Sequence, residues 1–249
     1  MKKILFISNS YGEDATRYLY GVARAKREKI KVMTLYIGGC SLQHHYRNMM
    51  GDTAAYACFV NGMATGLHVS IKQALLSDEW SDVVLQQCSP LSGQYETYQP
   101  YLTALSDYVH KLVPHATQHL QMTWSFAEGC PRFARTPFAG RAEMIPAVRD
   151  AYARAAADIG VRTVPALDAM CKMYDVIGPD TYRDGYHCNL GSARYMLACL
   201  WFMVLYGRDV AENGFCDFDT DVSAQDKLLA ERCARESLTE NGYAVDREG

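Results

Sequence analysis

Short apolar runs that stop at small polar or glycine-rich residues, each followed by a stretch of helix length, constrain the fold of this chain more than any other feature. Residues 3–8 form the first run, which ends at Ser8, Asn9 and Ser10 and leads through Gly12-Glu13-Asp14 into a helical pattern over 15–29. Residues 31–37 form a second, closed by Gly38-Gly39, and 82–87 a third, closed by Cys88-Ser89-Pro90. Residues 118–124 and 161–164 supply a fourth and a fifth, with helices expected around 71–76 and over 94–112, 142–159, 190–206 and 224–237. Strands that alternate with helices imply a parallel sheet, because parallel neighbours require long, right-handed crossovers and those helices cover both faces. The expected architecture is α/β: a three-layer α/β/α sandwich around a central, mostly parallel five-stranded sheet. Ligands of such sheets sit beyond the carboxyl ends of the strands. Weak alternation over 53–60, ahead of Asn61-Gly62, predicts a small antiparallel excursion between the second and third strands.

Bulk properties narrow the function. A chain of 249 residues with 49% apolar and 21% charged residues has the composition of a globular domain. It carries no repeat, low-complexity stretch or linker, so 1–249 is expected to be one domain with a helical C-terminal extension from about 208. Net charge is −3 with the basic residues scattered, which gives no footprint for nucleic acid or an anionic membrane and argues against a polyanionic substrate. The longest apolar stretch, 196–206, is far short of the ~20 residues a membrane-spanning helix needs and predicts a buried helix. The first apolar run is too brief for a signal-peptide core, so a cytoplasmic location is expected. The cysteine count, 9, is odd and includes no Cys-x-x-Cys pair, which reads as reduced, structural thiols. Cys40, His44 and His45 are ligand types without a second cluster at a familiar spacing, and no metal is expected. No dinucleotide or phosphate-loop glycine motif is present, and no cofactor is expected.

Two segments have the makings of a reaction centre. Ser10 falls between the first strand and the first helix, where a hydroxyl projects at the sheet edge and backbone N–H groups lack helical partners. Such a turn can supply both a nucleophile and an anion site for the oxygen of a tetrahedral intermediate. Far along the chain, Asp184-Gly185-Tyr186-His187 places a carboxylate three residues before an imidazole, close enough to fix its tautomer and leave the other nitrogen free as a base. Taken singly, Ser10 reads as well as a helix cap and the tetrapeptide as a surface loop.

Together, in this order and in an α/β frame, the segments resemble the SGNH (GDSL-like) hydrolases. Residues 4–10 match the family's first motif at the serine, with Ser8 in place of the usual glycine. Asp184 and His187 match the last motif, Asp-x-x-His before the final helix. Gly38-Gly39 resembles the second motif, whose glycine N–H enters the oxyanion hole; either glycine fits, and Gly39 is the choice. The third motif's asparagine is missing, and Gln87, or else Ser89, is the side chain that can donate in its place. The resemblance implies a flavodoxin-like SGNH fold, a Ser10–His187–Asp184 triad, and an oxyanion hole of Ser10, Gly39 and Gln87, with no cofactor. It covers about the first 200 residues and looks like a little-described bacterial subgroup. The implied activity is hydrolysis of an acyl or acetyl ester, on a small molecule or carbohydrate, through an acyl-enzyme. Tyr11, Ser89 and Tyr95 fall near expected strand ends and are the candidate substrate contacts. An acyltransferase on the same site, or a non-catalytic binding protein on the same fold, are the rival readings.

Overall fold

The computed structural model describes residues 1–246. Its centre is a seven-stranded sheet in the order β4-β3-β2-β1-β5-β6-β7, formed by β1 (Lys2–Ser8), β2 (Ile30–Tyr36), β3 (Tyr56–Val60), β4 (Met63–Val69), β5 (Asp82–Leu85), β6 (Thr117–Gln121) and β7 (Arg162–Val164). The five strands expected from sequence are the parallel set β2-β1-β5-β6-β7. The excursion after β2 adds two more. β3 runs antiparallel to β2, with Leu35 opposite Cys58, and turns back through Asn61 and Gly62, both at positive φ, into β4. β4 escapes a reading by alternation because it is the edge strand and exposed on both faces almost throughout.

Helices α1 (Ser10–Thr16), α2 (Leu19–Ala25), α3 (Leu42–Met50), α4 (Ile71–Leu75), α5 (Tyr101–Leu112), α6 (Arg141–Ile159), α7 (Ala166–Ile177), α8 (Ser192–Tyr206) and α9 (Ala224–Glu240) cover the sheet. The single helix expected over 15–29 is two short ones that begin at Ser10. α1 starts early because the Asn9 side chain caps it by accepting from the Tyr11 N–H. α3 and α7 have no counterpart in the sequence reading. α8 is buried around nearly its whole circumference, as its unbroken apolar run demands. Among the described residues no helix is long and apolar enough to cross a membrane, all nine cysteines are free, and no group of three or more His, Cys, Asp or Glu side chains is placed to hold a metal ion.

β1 is the topological switch: β2 lies on one side and β5 on the other, so the loops after these strands diverge and open a crevice at their carboxyl ends. That geometry brings Ser10, Gly38-Gly39 and Ser89 to one edge.

Candidate active site

Ser10 is the first residue of α1, at the carboxyl end of β1. A buried chain of amides fixes the turn that carries it. Trp201 Nε1 donates to Gln121 Oε1, Gln121 Nε2 to Gln86 Oε1 at 2.7 Å, Gln86 Nε2 to Asn9 Oδ1 at 2.7 Å, and Asn9 Nδ2 to the Cys40 carbonyl at 3.0 Å. Every amide group in it has a partner, so the chain can sit in the core without an orphaned dipole and orient Asn9. Ser8, the departure from the family's glycine, is accommodated by a glycine elsewhere. A Cβ on Gly12 would lie 2.3 Å from the Ser8 Oγ, which itself donates to the Leu35 carbonyl at 3.2 Å.

The loop before α8 brings in the other two groups. Asp184 Oδ1 accepts from the His187 N–H at 2.8 Å and the Tyr186 N–H at 3.2 Å, and Oδ2 lies 2.7 Å from His187 Nδ1. His187 Nε2 lies 2.8 Å from Ser10 Oγ. Burial alone would raise the Asp184 carboxyl, but the hydrogen bonds from the His187 backbone and ring and the Tyr186 backbone outweigh it and hold the carboxyl below its ordinary value. An Asp14 carboxylate, fully buried, ties this loop to α1: it takes Arg183 Nη1 at 2.9 and 3.0 Å and Arg194 Nε at 2.8 Å. Trp124 adds a second tie. Its ring stacks on Tyr11 at 4.1 Å and its Nε1 donates to the Tyr186 carbonyl at 2.8 Å.

These groups open on a cavity of about 430 Å³ whose lining includes Ser10, Tyr11, Gly38, Gly39, Ser89 and His187. Ser10 is the first helical residue, so its N–H has no intrahelical acceptor. Neither the Gly38 nor the Gly39 N–H donates to a backbone carbonyl among the described residues, and Gly39 makes its turn at φ +65°, a conformation that favours glycine.

Two expected site residues lie elsewhere. Gln87 is fully buried and its amide is consumed: Oε1 accepts from the Leu42 and Cys88 N–H groups at 3.0 and 2.9 Å, and Nε2 donates to Thr97. It braces the loop after β5 and has no donor left for an oxyanion; Ser89, the other alternative, does line the cavity. Tyr95 lies away from the cavity, its hydroxyl donating to Asp158 at 2.7 Å and its ring under Arg154. Tyr11 reaches the cavity floor, but only 2% of it is exposed, and its hydroxyl approaches Ser89 without making a hydrogen bond. His45 is buried, within 2.8 Å of the Tyr56 hydroxyl and 3.4 Å of Cys40 Sγ, and burial, with His44 adding to it, pushes its imidazole down to about 3. It belongs to the packing of α3 against β3. The sequence reading missed Tyr36, Pro90, Tyr186, Arg132 and Arg135, which also line the cavity. Tyr186 and Pro90 adjoin residues already singled out, but nothing in the local sequence marks the two arginines, which a 3-10 turn far from either motif delivers.

The model of a domain of unknown function, DUF4886, matches residues 3–237. A crystal structure of a DUF4886 family protein from Bacteroides uniformis is 29% identical, covers 96% of this chain and 95% of its own, and superposes with a TM-score of 0.87. A protein from Slackia heliotrinireducens, provisionally assigned as an SGNH hydrolase, is 22% identical over 79% of this chain and 94% of its own, with a TM-score of 0.56. The acetylxylan esterase Axe2 of Geobacillus stearothermophilus is 15% identical over 82% and 93%, with a TM-score of 0.54. No curated protein matches the chain in sequence. The fold is therefore that of the SGNH and GDSL-like hydrolases.

Proposed function

Because the chain belongs to the DUF4886 family, whose description names no activity, we propose its function from the site itself: it is a serine esterase that hydrolyses a small acyl or acetyl ester, on a carbohydrate or similar alcohol, through an acyl-enzyme. The observation that carries this reading is the continuous relay from Asp184 Oδ2 to His187 Nδ1, 2.7 Å, and from His187 Nε2 to Ser10 Oγ, 2.8 Å, at the floor of an open cavity.

In this reading Nδ1–H donates to Asp184, which leaves Nε2 to accept the Ser10 proton. As that proton moves, the Ser10 Oγ–carbon bond forms and the carbonyl electron pair collects on oxygen. The Ser10 and Gly39 N–H groups, with the Ser89 hydroxyl as third donor, receive that charge. Collapse breaks the ester C–O bond and His187 returns its proton to the departing alkoxide. Water, deprotonated by the same nitrogen, then attacks the acyl-enzyme; the acid leaves and Ser10 regains its proton.

The test is steady-state hydrolysis of para-nitrophenyl acetate and an acetylated xylo-oligosaccharide by the parent and Ser10→Ala. A loss of roughly 10⁴-fold or more in kcat is expected, as for the removal of a triad nucleophile. A Ser10→Ala protein that retains a tenth of the parent kcat overturns the reading.

A further inference from the structure

We propose that the site selects esters that carry an anionic oxygen group, a carboxylate or phosphate, and that Arg132 and Arg135 hold it. The inference rests on the esterase reading. Its ground is an uncompensated charge. The cavity lining contains two arginines but neither Asp nor Glu, although the chain as a whole carries a net charge of −3. The nearby acids are already committed: Asp184 to His187 and two backbone N–H groups, and Asp14 and Glu13 to Arg183 and Arg194.

The two arginines come from one short element, the 3-10 turn Pro131–Arg135. Residues three apart in such a turn eclipse one another, so Arg132 and Arg135 present their side chains on the same face. Phe133 anchors the turn: it is 8% exposed and packs edge-on to Phe126 at 5.3 Å. The Arg132 guanidinium lies 3.5 Å over the Tyr186 ring and its Nη2 donates to the Tyr186 hydroxyl at 2.6 Å. That ring lies 3.9 Å from the His187 ring, so a cation is fixed one aromatic layer from the base. A guanidinium has five N–H donors, and this contact uses one. Arg135 has no ion pair and no side-chain hydrogen bond among the described residues.

A neutral acetate ester gives these groups nothing to bind. A planar carboxylate or a phosphate accepts two parallel N–H bonds from such a fork, and a cleft lined by one sign of charge concentrates anions. A cavity of about 430 Å³ has room for the ester and one such group. The scattered basic residues spoke against a polyanion; a single anionic group on a small ester is a different requirement, met locally.

The experiment compares kcat/KM on substrates whose anionic group is free or capped as a methyl ester, each rate divided by that of the same ester's hydroxide-catalysed hydrolysis. Para-nitrophenyl hydrogen glutarate against its methyl ester places the anion on the acyl side. Para-acetoxybenzoate against methyl para-acetoxybenzoate places it on the alcohol side, and para-acetoxyphenyl phosphate is the phosphate arm. At low salt the anionic member of at least one pair is expected to be favoured about tenfold, the value of one charge-assisted hydrogen bond of ~1.4 kcal/mol. The ratio is expected to fall several-fold at high ionic strength and toward one in Arg135→Gln and Arg132→Lys. Neutral esters turned over through Ser10 with no preference for any anionic partner overturn this proposal and leave the esterase reading intact. No turnover of any pair overturns both.

Discussion

Asp14→Asn is the substitution that most directly probes how α1 and the 182–188 loop are held in register. The Asp14 carboxylate is inaccessible and pairs with two guanidiniums, and breaking a buried pair by removing one partner costs about 3–5 kcal/mol. The two arginines lose unequally. Arg194 keeps Asp219 at 2.8 Å and Glu13 at 3.1 Å, whereas Arg183 loses its one carboxylate but, with 27% of its side chain exposed, can recover some hydration. The lower end of the range follows, about 3 kcal/mol, read as a shifted urea midpoint with an unchanged slope. Arg183 adjoins Asp184, so the relay should loosen too. A misplacement of ~1 Å costs on the order of 100-fold in turnover, and kcat should fall accordingly under conditions where the variant is fully folded. Asp219→Asn is the comparison; its carboxylate is 23% exposed, and the change should cost about 1 kcal/mol. If Asp14→Asn unfolds within 0.5 kcal/mol of the parent, the buried ion pair does not tie the two halves of the site together and the reasoning fails.

Ser89→Ala should lower kcat by about 10²-fold or more with little change in stability, and Gln87→Ala the reverse, since it strands the Leu42 and Cys88 N–H groups; matched kinetics and melting curves separate them. Gly12→Ala should destabilise by about 1–3 kcal/mol because its Cβ would meet the Ser8 side chain at 2.3 and 2.4 Å, and the double variant Ser8→Gly/Gly12→Ala should restore most of the loss in a denaturant melt. The Arg17 hydrogen bond holds the Asp219 carboxyl down at about 2, against an ordinary 3.8. A depressed carboxyl contributes stability that is complete above its unfolded value and is lost as pH falls through the folded one, so the parent should lose stability between about pH 4 and 2. Asp219→Asn should lose less over that window; equal acid slopes would contradict it.

The sequence made some of this legible and concealed the rest for physical reasons. The parallel strands announce themselves because both faces are buried: β5 is buried at all four positions and β1 at its last five. Ser10 and His187 could be paired because the segments that carry them, in that order within an α/β pattern, resemble the first and last SGNH motifs. Gln87 was chosen ahead of Ser89 as the candidate oxyanion donor, and its commitment elsewhere was not legible because its amide partners, Leu42 at the start of α3 and Thr97 in a 3-10 turn, lie far from it in sequence. Tyr95 was expected to face the ligand from its place near β5, but the 3-10 turn that carries it directs the ring to α6 and Asp158. Arg132 and Arg135 went unnoticed for the same kind of reason: their meaning lies in the absence of an acid around them, which is a property of the assembled cavity.

The central claim is that Ser10 is the nucleophile, and active-site labelling by a fluorophosphonate followed by peptide mass spectrometry tests it most directly. One adduct on Ser10 is expected in the parent, forming at least 10²-fold more slowly in His187→Ala, in which the base 2.8 Å from the hydroxyl is gone. An unlabelled Ser10 in folded protein, or an adduct that forms at the same rate without His187, would contradict the account.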